Sequence, residues 1–277
     1  MSGNVLRHRA HFSREPWEGY NPACQLKQKT NRVGSIPRSN GGMSVKSVIT
    51  LKLSATIIAA LLLAGIAHAG VIWDGSASKG TSVFGNLNCD SPGTVIAVND
   101  STFGRVWRFD KPAGDRRCEA HGAAGFHAAI GGTYYIGWRS RLTTTADDNA
   151  NFQWKAFGRP LLQNFPLVLK NLGGKWMLGY GTSHGLVPIF QTAASAGVWH
   201  THVLLIHVSD NAKAGYVEYW LDGKHVTFTN GSTRFIGRTF DGTSVDPKWG
   251  VYGGTSVHMQ NFVTSLKIGT TFADVAP

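Results

Sequence analysis

After Gly70 the chain holds only two glutamates, Glu119 and Glu218, and no Glu-x-Asp-x-x-Glu strand. A glycoside hydrolase works with two carboxylates flanking the bond it breaks, so hydrolysis is left only to Glu/Asp pairs assembled from distant strands. Cysteine is almost absent: Cys24 lies near the start, and Cys89 and Cys118 are the only two after Gly70. No stretch after Gly70 reads as a long amphipathic helix, no internal repeat or linker divides it, and no cofactor signature is present. It also lacks a basic run interleaved with aromatics, which removes nucleic acid as a partner. Long hydrophobic runs are limited to one, from Leu53 to Ile66.

That run organises the N-terminus. The sequence from Met43 begins with a lysine-bearing segment, continues into the apolar stretch and ends in Ala67-His68-Ala69 before Gly70. This is the pattern of a secretory signal peptide over 43–69, cut after Ala69, and the run is shorter than the roughly 20 residues of a spanning helix. Residues 1–42 mix Arg, Lys, Asn, Gly and Pro without a period; they read as a disordered extension, with Met43 the true start. The expected product is a secreted, extracellular and monomeric domain over 70–277, with no membrane association after cleavage. Of the formal net charge of +11, the segment from Gly70 onward carries +4. That mild excess suits an anionic glycan. Two cysteines in an oxidising compartment point to one disulfide, Cys89 with Cys118. Asn99-Asp100-Ser101 and Asn230-Gly231-Ser232 are N-glycosylation acceptors if the source is eukaryotic, both in expected loops.

Short runs rich in aromatic and β-branched residues alternate with Gly, Asn, Asp and Ser clusters, and eleven of them read as strands, among them Thr133–Arg141, Ala150–Phe157, Trp199–Val208 and Trp249–Tyr252. Asp222-Gly223 is a hairpin signal and Leu172-Gly173-Gly174 a second turn. Val203 to Val208 does not alternate, so that strand is expected to be covered on both faces. The fold expected is all-β: a two-sheet jelly roll with one concave groove.

Three segments carry chemistry. In Asp115 to Gly122 an extended strand puts Arg117, Glu119 and His121 on one face, where an arginine can grip a carboxylated sugar through a two-pronged bond; Glu119 also suits a structural ion pair. In Asn151 to Phe157, the polar set Asn151, Gln153 and Lys155 faces away from the core. In Lys248-Trp249-Gly250-Val251-Tyr252, a lysine and a tyrosine share a face with only glycine between them. A phenol held near cations is a competent proton-transfer group. Asp147-Asp148-Asn149 offers oxygens to calcium, though a solvated turn explains it as well; no other metal or cofactor is indicated.

The order Arg-x-Glu, Gln-x-basic, Lys-x-Gly-x-Tyr resembles that of the jelly-roll, concanavalin A-like polysaccharide lyases such as the alginate, heparin and glucuronan lyases. Their corresponding motifs look like Arg-Ser/Thr-Glu-Leu-Arg, Gln-Ile/Val-His and Tyr-Phe-Lys-Ala-Gly-Val/Ile-Tyr. Gly215 to Lys224, with Trp199-His200, resembles a hairpin and strand opening of the same group. The resemblance implies a secreted lyase acting on a uronic-acid polysaccharide by β-elimination. Arg117 and Gln153 would neutralise the substrate carboxylate, helped by Glu119 and His121 in substrate binding. Tyr252 would transfer the proton, with Lys248 and Lys155 also in the catalytic set. The family's histidine is replaced by Lys155, and His121, His127, His200, His202 and His258 are the candidates to supply an imidazole from elsewhere. Two rivals remain: a lectin-like binding protein using tryptophans as stacking platforms, and a glycoside hydrolase on the same fold.

Overall fold

The computed structural model describes residues 70–277; the extension and signal peptide expected over 1–69 lie outside the described residues. The runs that alternate apolar and polar side chains become strands, and the Gly-, Asn- and Asp-rich stretches between them become turns. In chain order the strands are β1 (Val71–Asp74), β2 (Phe84–Cys89), β3 (Thr94–Asp100), β4 (Gly104–Lys111), β5 (Arg117–Ala123), β6 (Thr133–Leu142), β7 (Asn149–Phe157), β8 (Leu167–Leu172) and β9 (Lys175–Thr182). They continue with β10 (Gly185–Ala193), β11 (Trp199–His207), β12 (Tyr216–Leu221), β13 (Lys224–His225), β14 (Phe235–Ile236), β15 (Ser244–Gly253) and β16 (Met259–Gly269), before a single-turn helix α1 (Phe272–Val275).

One sheet runs β13-β12-β11-β6-β16-β4-β3, with β1 on β16 and β14 on β12; the other runs β10-β9-β8-β7-β15-β5-β2. Their inner faces share one core in which Trp107, Trp138, Trp154, Trp176 and Trp249 are fully buried. The two sheets form the jelly-roll sandwich anticipated from the sequence. Asp222 and Gly223 both have positive φ, as the hairpin signal requires. His202 to Ile206 are buried without a break, so β11 is covered on both sides.

Several elements differ from the sequence reading. The strand expected over Lys224–Thr229 stops at His225: Val226 still bonds to Tyr219, but Phe228 then turns to bond Ser232 and is buried in the core. Strand β10 escaped notice because Pro188 interrupts it; the strand lies at a sheet edge, where a missing N–H is tolerated. Asn99 sits at the end of β3 rather than in a loop, while Asn230 is exposed in a turn.

Cys89 and Cys118 are directly opposite in the β2–β5 ladder and form the expected disulfide. It fastens an edge strand to the strand that carries Arg117 and Glu119.

Candidate active site

Strands β5, β15 and β7 lie side by side within the seven-stranded sheet, and their registers gather the three sequence segments. Arg117 stands opposite Tyr252, Glu119 opposite Gly250 and His121 opposite Lys248. On the other flank of β15, Gln153 stands opposite Lys248 and Lys155 opposite Asp246. The alternate residues Cys118, Ala120, Trp249, Val251, Phe152 and Trp154 enter the core, so the polar set projects from the outer face. Several of these outer side chains are nonetheless buried, Glu119, Gln153 and Lys248 among them. Gly250 makes the close approach possible: with φ of 142°, a Cβ there would run into the Cys118 carbonyl and the Glu119 backbone.

The floor of this face is a charged trio. Glu119, Lys248 and Gln153 are 2%, 5% and 2% exposed. The Lys248 ammonium donates to Glu119 Oε2 at 2.7 Å, and Gln153 Nε2 donates to Glu119 Oε1. Burial pushes the Glu119 carboxyl above the usual carboxylate range, and the neighbouring Lys248 and Arg117 charges and the Gln153 bond pull it back.

Tyr252 lies beside the trio. Its ring is 9% exposed and packs with Ala150 and Val168, with Phe165 and Leu186 against them. The Arg117 and Arg116 guanidiniums sit 4.8 and 5.4 Å from its centroid. The phenolic oxygen has no hydrogen-bond partner among the described residues and is not sealed from solvent. The two cations lie over its ring, and its hydroxyl is left without a protein partner among the described residues.

Lys155 is half-buried. Its ammonium donates to Asn164 Oδ1 at 2.5 Å and lies 4.9 Å from the Phe157 centroid and 4.5 Å from that of Phe165. Phe165 also supports the Tyr252 cluster, so it links the lysine to the tyrosine. His121 stacks on Phe157 with 4.6 Å between ring centroids and lies 3.7 Å from Asp246 Oδ2.

The structure therefore brings Tyr252, Lys248, Lys155, Arg117, Gln153, Glu119 and His121 onto one face. It separates Asn151, whose amide is spent on Asn171 and the Asn149 carbonyl at a register shift in β7. It also sorts the histidines. His202 is sealed in the core, His200 pairs with Asp222 and His258 with Asp110 on the other sheet, and His127 is exposed in the β5–β6 connection. Only His121 of the five shares the Tyr252 face. Sequence reasoning missed Arg116, Phe157, Asn164, Phe165 and Asp246. Arg116 and Asp246 adjoin recognised segments, whereas Asn164 and Phe165 come from a loop with no motif to mark it.

In the segment considered for calcium, Asp147 accepts from Ser256, Asp148 pairs with Lys170 at 2.5 Å, and Asn149 is fully buried. These two carboxylates already have protein partners. Beyond Phe157, whose backbone bridges Gly242, a cleft of about 360 Å³ is lined by Arg159, Arg238, Asp210, Asp241, Ile130 and Phe240. Arg238 is partnered there by Asp241, so the cleft carries charge of both signs.

Among solved structures, an endo-β-1,4-glucuronan lyase from the fungus Trichoderma reesei is similar, with a TM-score of 0.56 and 20% identity over 70% of this chain and 94% of that one. A carbohydrate esterase of the Shiga toxin-encoding bacteriophage phi24B shares the fold at a TM-score of 0.52 and 14% identity, over 73% and 99% of the two chains. Such likeness speaks for the fold, and two different chemistries on it show that fold alone does not choose between them. The sequence matches no protein of curated function. The polysaccharide lyase family model matches residues 90–272, a span that takes in Arg117, Glu119, Gln153, Lys155, Lys248 and Tyr252. With the two-sheet sandwich and the groove residues in that span, this chain belongs to the polysaccharide lyase family.

Proposed function

We propose that the protein is a secreted lyase that cleaves a uronic-acid polysaccharide by β-elimination in the groove over β5, β15 and β7. Elimination needs three things: neutralisation of the substrate carboxylate, removal of the C5 proton, and protonation of the glycosidic oxygen as the C4–O bond breaks. Arg117 and the Lys155 ammonium suit the first, and Gln153 completes the polar wall. Tyr252 takes the C5 proton and returns one to the leaving oxygen. No water is added, and the new non-reducing end carries a C4–C5 double bond.

The observation that carries this reading is Tyr252, whose ring lies under two guanidiniums and whose hydroxyl has no hydrogen-bond partner among the described residues. The arrangement also speaks against the rivals. Glu119, the only glutamate on this face, is buried and committed to Lys248 and Gln153, so it is no hydrolytic acid. Six of the eight tryptophans after Gly70 are buried, which leaves a lectin few stacking platforms. Incubation with glucuronan, alginate and heparin tests the reading: ultraviolet absorbance of an unsaturated product should rise with at least one. No rise on any uronate polymer would refute it. The signal-peptide pattern of 43–69 supports secretion, and N-terminal sequencing of the exported protein should begin at Gly70.

A further inference from the structure

Glu119 is a carboxylate at the floor of a groove that, on the reading above, must accept polyanions. Both of its oxygens are occupied, one by Gln153 Nε2 and the other by the Lys248 ammonium. With both oxygens bonded to protein it has none to offer a sugar, whereas Gln153 Oε1 has no bond among the described residues and is not sealed from solvent. We propose that Glu119 is a positioning residue: it fixes the Gln153 amide and holds Lys248 down, so that Gln153 meets the substrate in one orientation beside Tyr252. This rests on the proposed elimination and adds a role for a residue that does not touch substrate.

A carboxylate accepts only, whereas a glutamine side chain both donates and accepts. Glu119 therefore compels Gln153 to turn its Nε2 toward β5, which leaves Oε1 and the second N–H hydrogen in a single arrangement. Lys248, in turn, donates only, so it competes with nothing on Gln153 and cancels the Glu119 charge. Arg117 and Lys155 then remain as the cations facing the substrate. A buried ion pair is a poor source of stability, since apolar residues of similar volume hold a fold as well or better. What an apolar pair cannot do is orient an amide. The close approach at Gly250 leaves space for this pair, because no side chain rises there between Lys248 and Tyr252.

The test compares wild type, Glu119→Gln and the apolar pair Glu119→Leu/Lys248→Met on the uronate polymer that wild type cleaves. In Glu119→Gln the single remaining oxygen goes to Lys248, and the new NH2 confronts Gln153 and turns its amide over. A drop in kcat of roughly 10²-fold is expected, with KM held within about threefold, as for the loss of an oriented donor felt in the transition state. The apolar pair should match or exceed Glu119→Gln in thermal midpoint and still keep the low kcat. If kcat returned to within about threefold of wild type in the apolar pair, the positioning role would be overturned. A second readout does not depend on turnover: the Gln153 side-chain amide should be protected from hydrogen exchange in wild type and lose protection in the apolar pair. Rapid exchange in wild type would also overturn the proposal. A protected amide in a protein that cleaves no uronate polymer would sink the elimination reading and leave the amide-fixing role supported.

Discussion

Two buried polar clusters in this molecule solve the same problem in opposite ways. Between the sheets, His202 is hydrogen-bonded to Ser140 at 2.9 Å and to Tyr219 at 2.7 Å, and its ring stacks on Trp138. Beneath the groove, Glu119 is tied to Lys248 and Gln153. The first cluster is kept neutral: burial, with a smaller push from His200, holds the imidazole at about 3, and burial raises the Tyr219 phenol well above its ordinary range. The second is kept as an ion pair. A neutral network costs little to bury once its bonds are made, whereas a charged one brings a desolvation penalty that the fold did not need to meet. Of these two clusters, the one over β5, β15 and β7 holds an ion pair and the one between the sheets holds neutral groups.

Breaking the groove at its reactive end should give the largest effect. Tyr252→Phe removes the hydroxyl while keeping the ring that packs on Ala150 and Val168. Turnover should fall by about 10²–10⁴-fold, the range for a general acid–base group, with polymer binding intact; a lectin would have no turnover to lose.

Next come the clusters themselves. Lys248→Met strands a buried carboxylate and should cost about 3–5 kcal/mol in chemical denaturation. Ser140→Ala, which orphans one nitrogen of a neutral imidazole, should cost about 1–3 kcal/mol. Equal losses would erase the contrast between the two sites.

The clusters also differ in pH response. Burial depresses the folded pKa of His202 to about 3 from the 6.5 of an unperturbed imidazole. Its contribution is present above the unfolded value and is lost as pH falls from 6.5 toward 3, because the unfolded chain takes up a proton that the native one refuses. The slope approaches about 1.4 kcal/mol per pH unit for this single proton. His202→Gln should flatten the acid limb of a stability–pH curve by that amount.

The smallest effect is expected at Lys155, whose cation is shared between Phe157, Phe165 and Asn164. Lys155→Gln should raise KM by about tenfold, on the order of one charge-assisted bond, with a lesser change in kcat.

Much of this was legible in the sequence, and the reasons are local. Alternation along 117–121, 153–155 and 248–252 placed each set on one strand face, because the strand period fixes it. Asp222-Gly223 announced its turn for a different local reason, since both residues adopt positive φ. What alternation does not reveal is burial on the polar face: Glu119, Gln153 and Lys248 are buried beside Gly250, where the β15 backbone approaches β5 too closely for a side chain. Nor does it reveal register shifts: the one between Ala150 and Phe152 sends Asn151 into a separate amide network. The choice of His121 among five histidines is likewise set by which strands pair, a long-range fact carried by no single segment.

The central claim is that this groove eliminates rather than hydrolyses. Cleaving a uronate polymer in water enriched in oxygen-18 and weighing the products by mass spectrometry tests it most directly. The account predicts unlabelled fragments, one of each pair lighter by the mass of a water molecule than its hydrolytic counterpart. An oxygen-18 atom incorporated at each cut would contradict it.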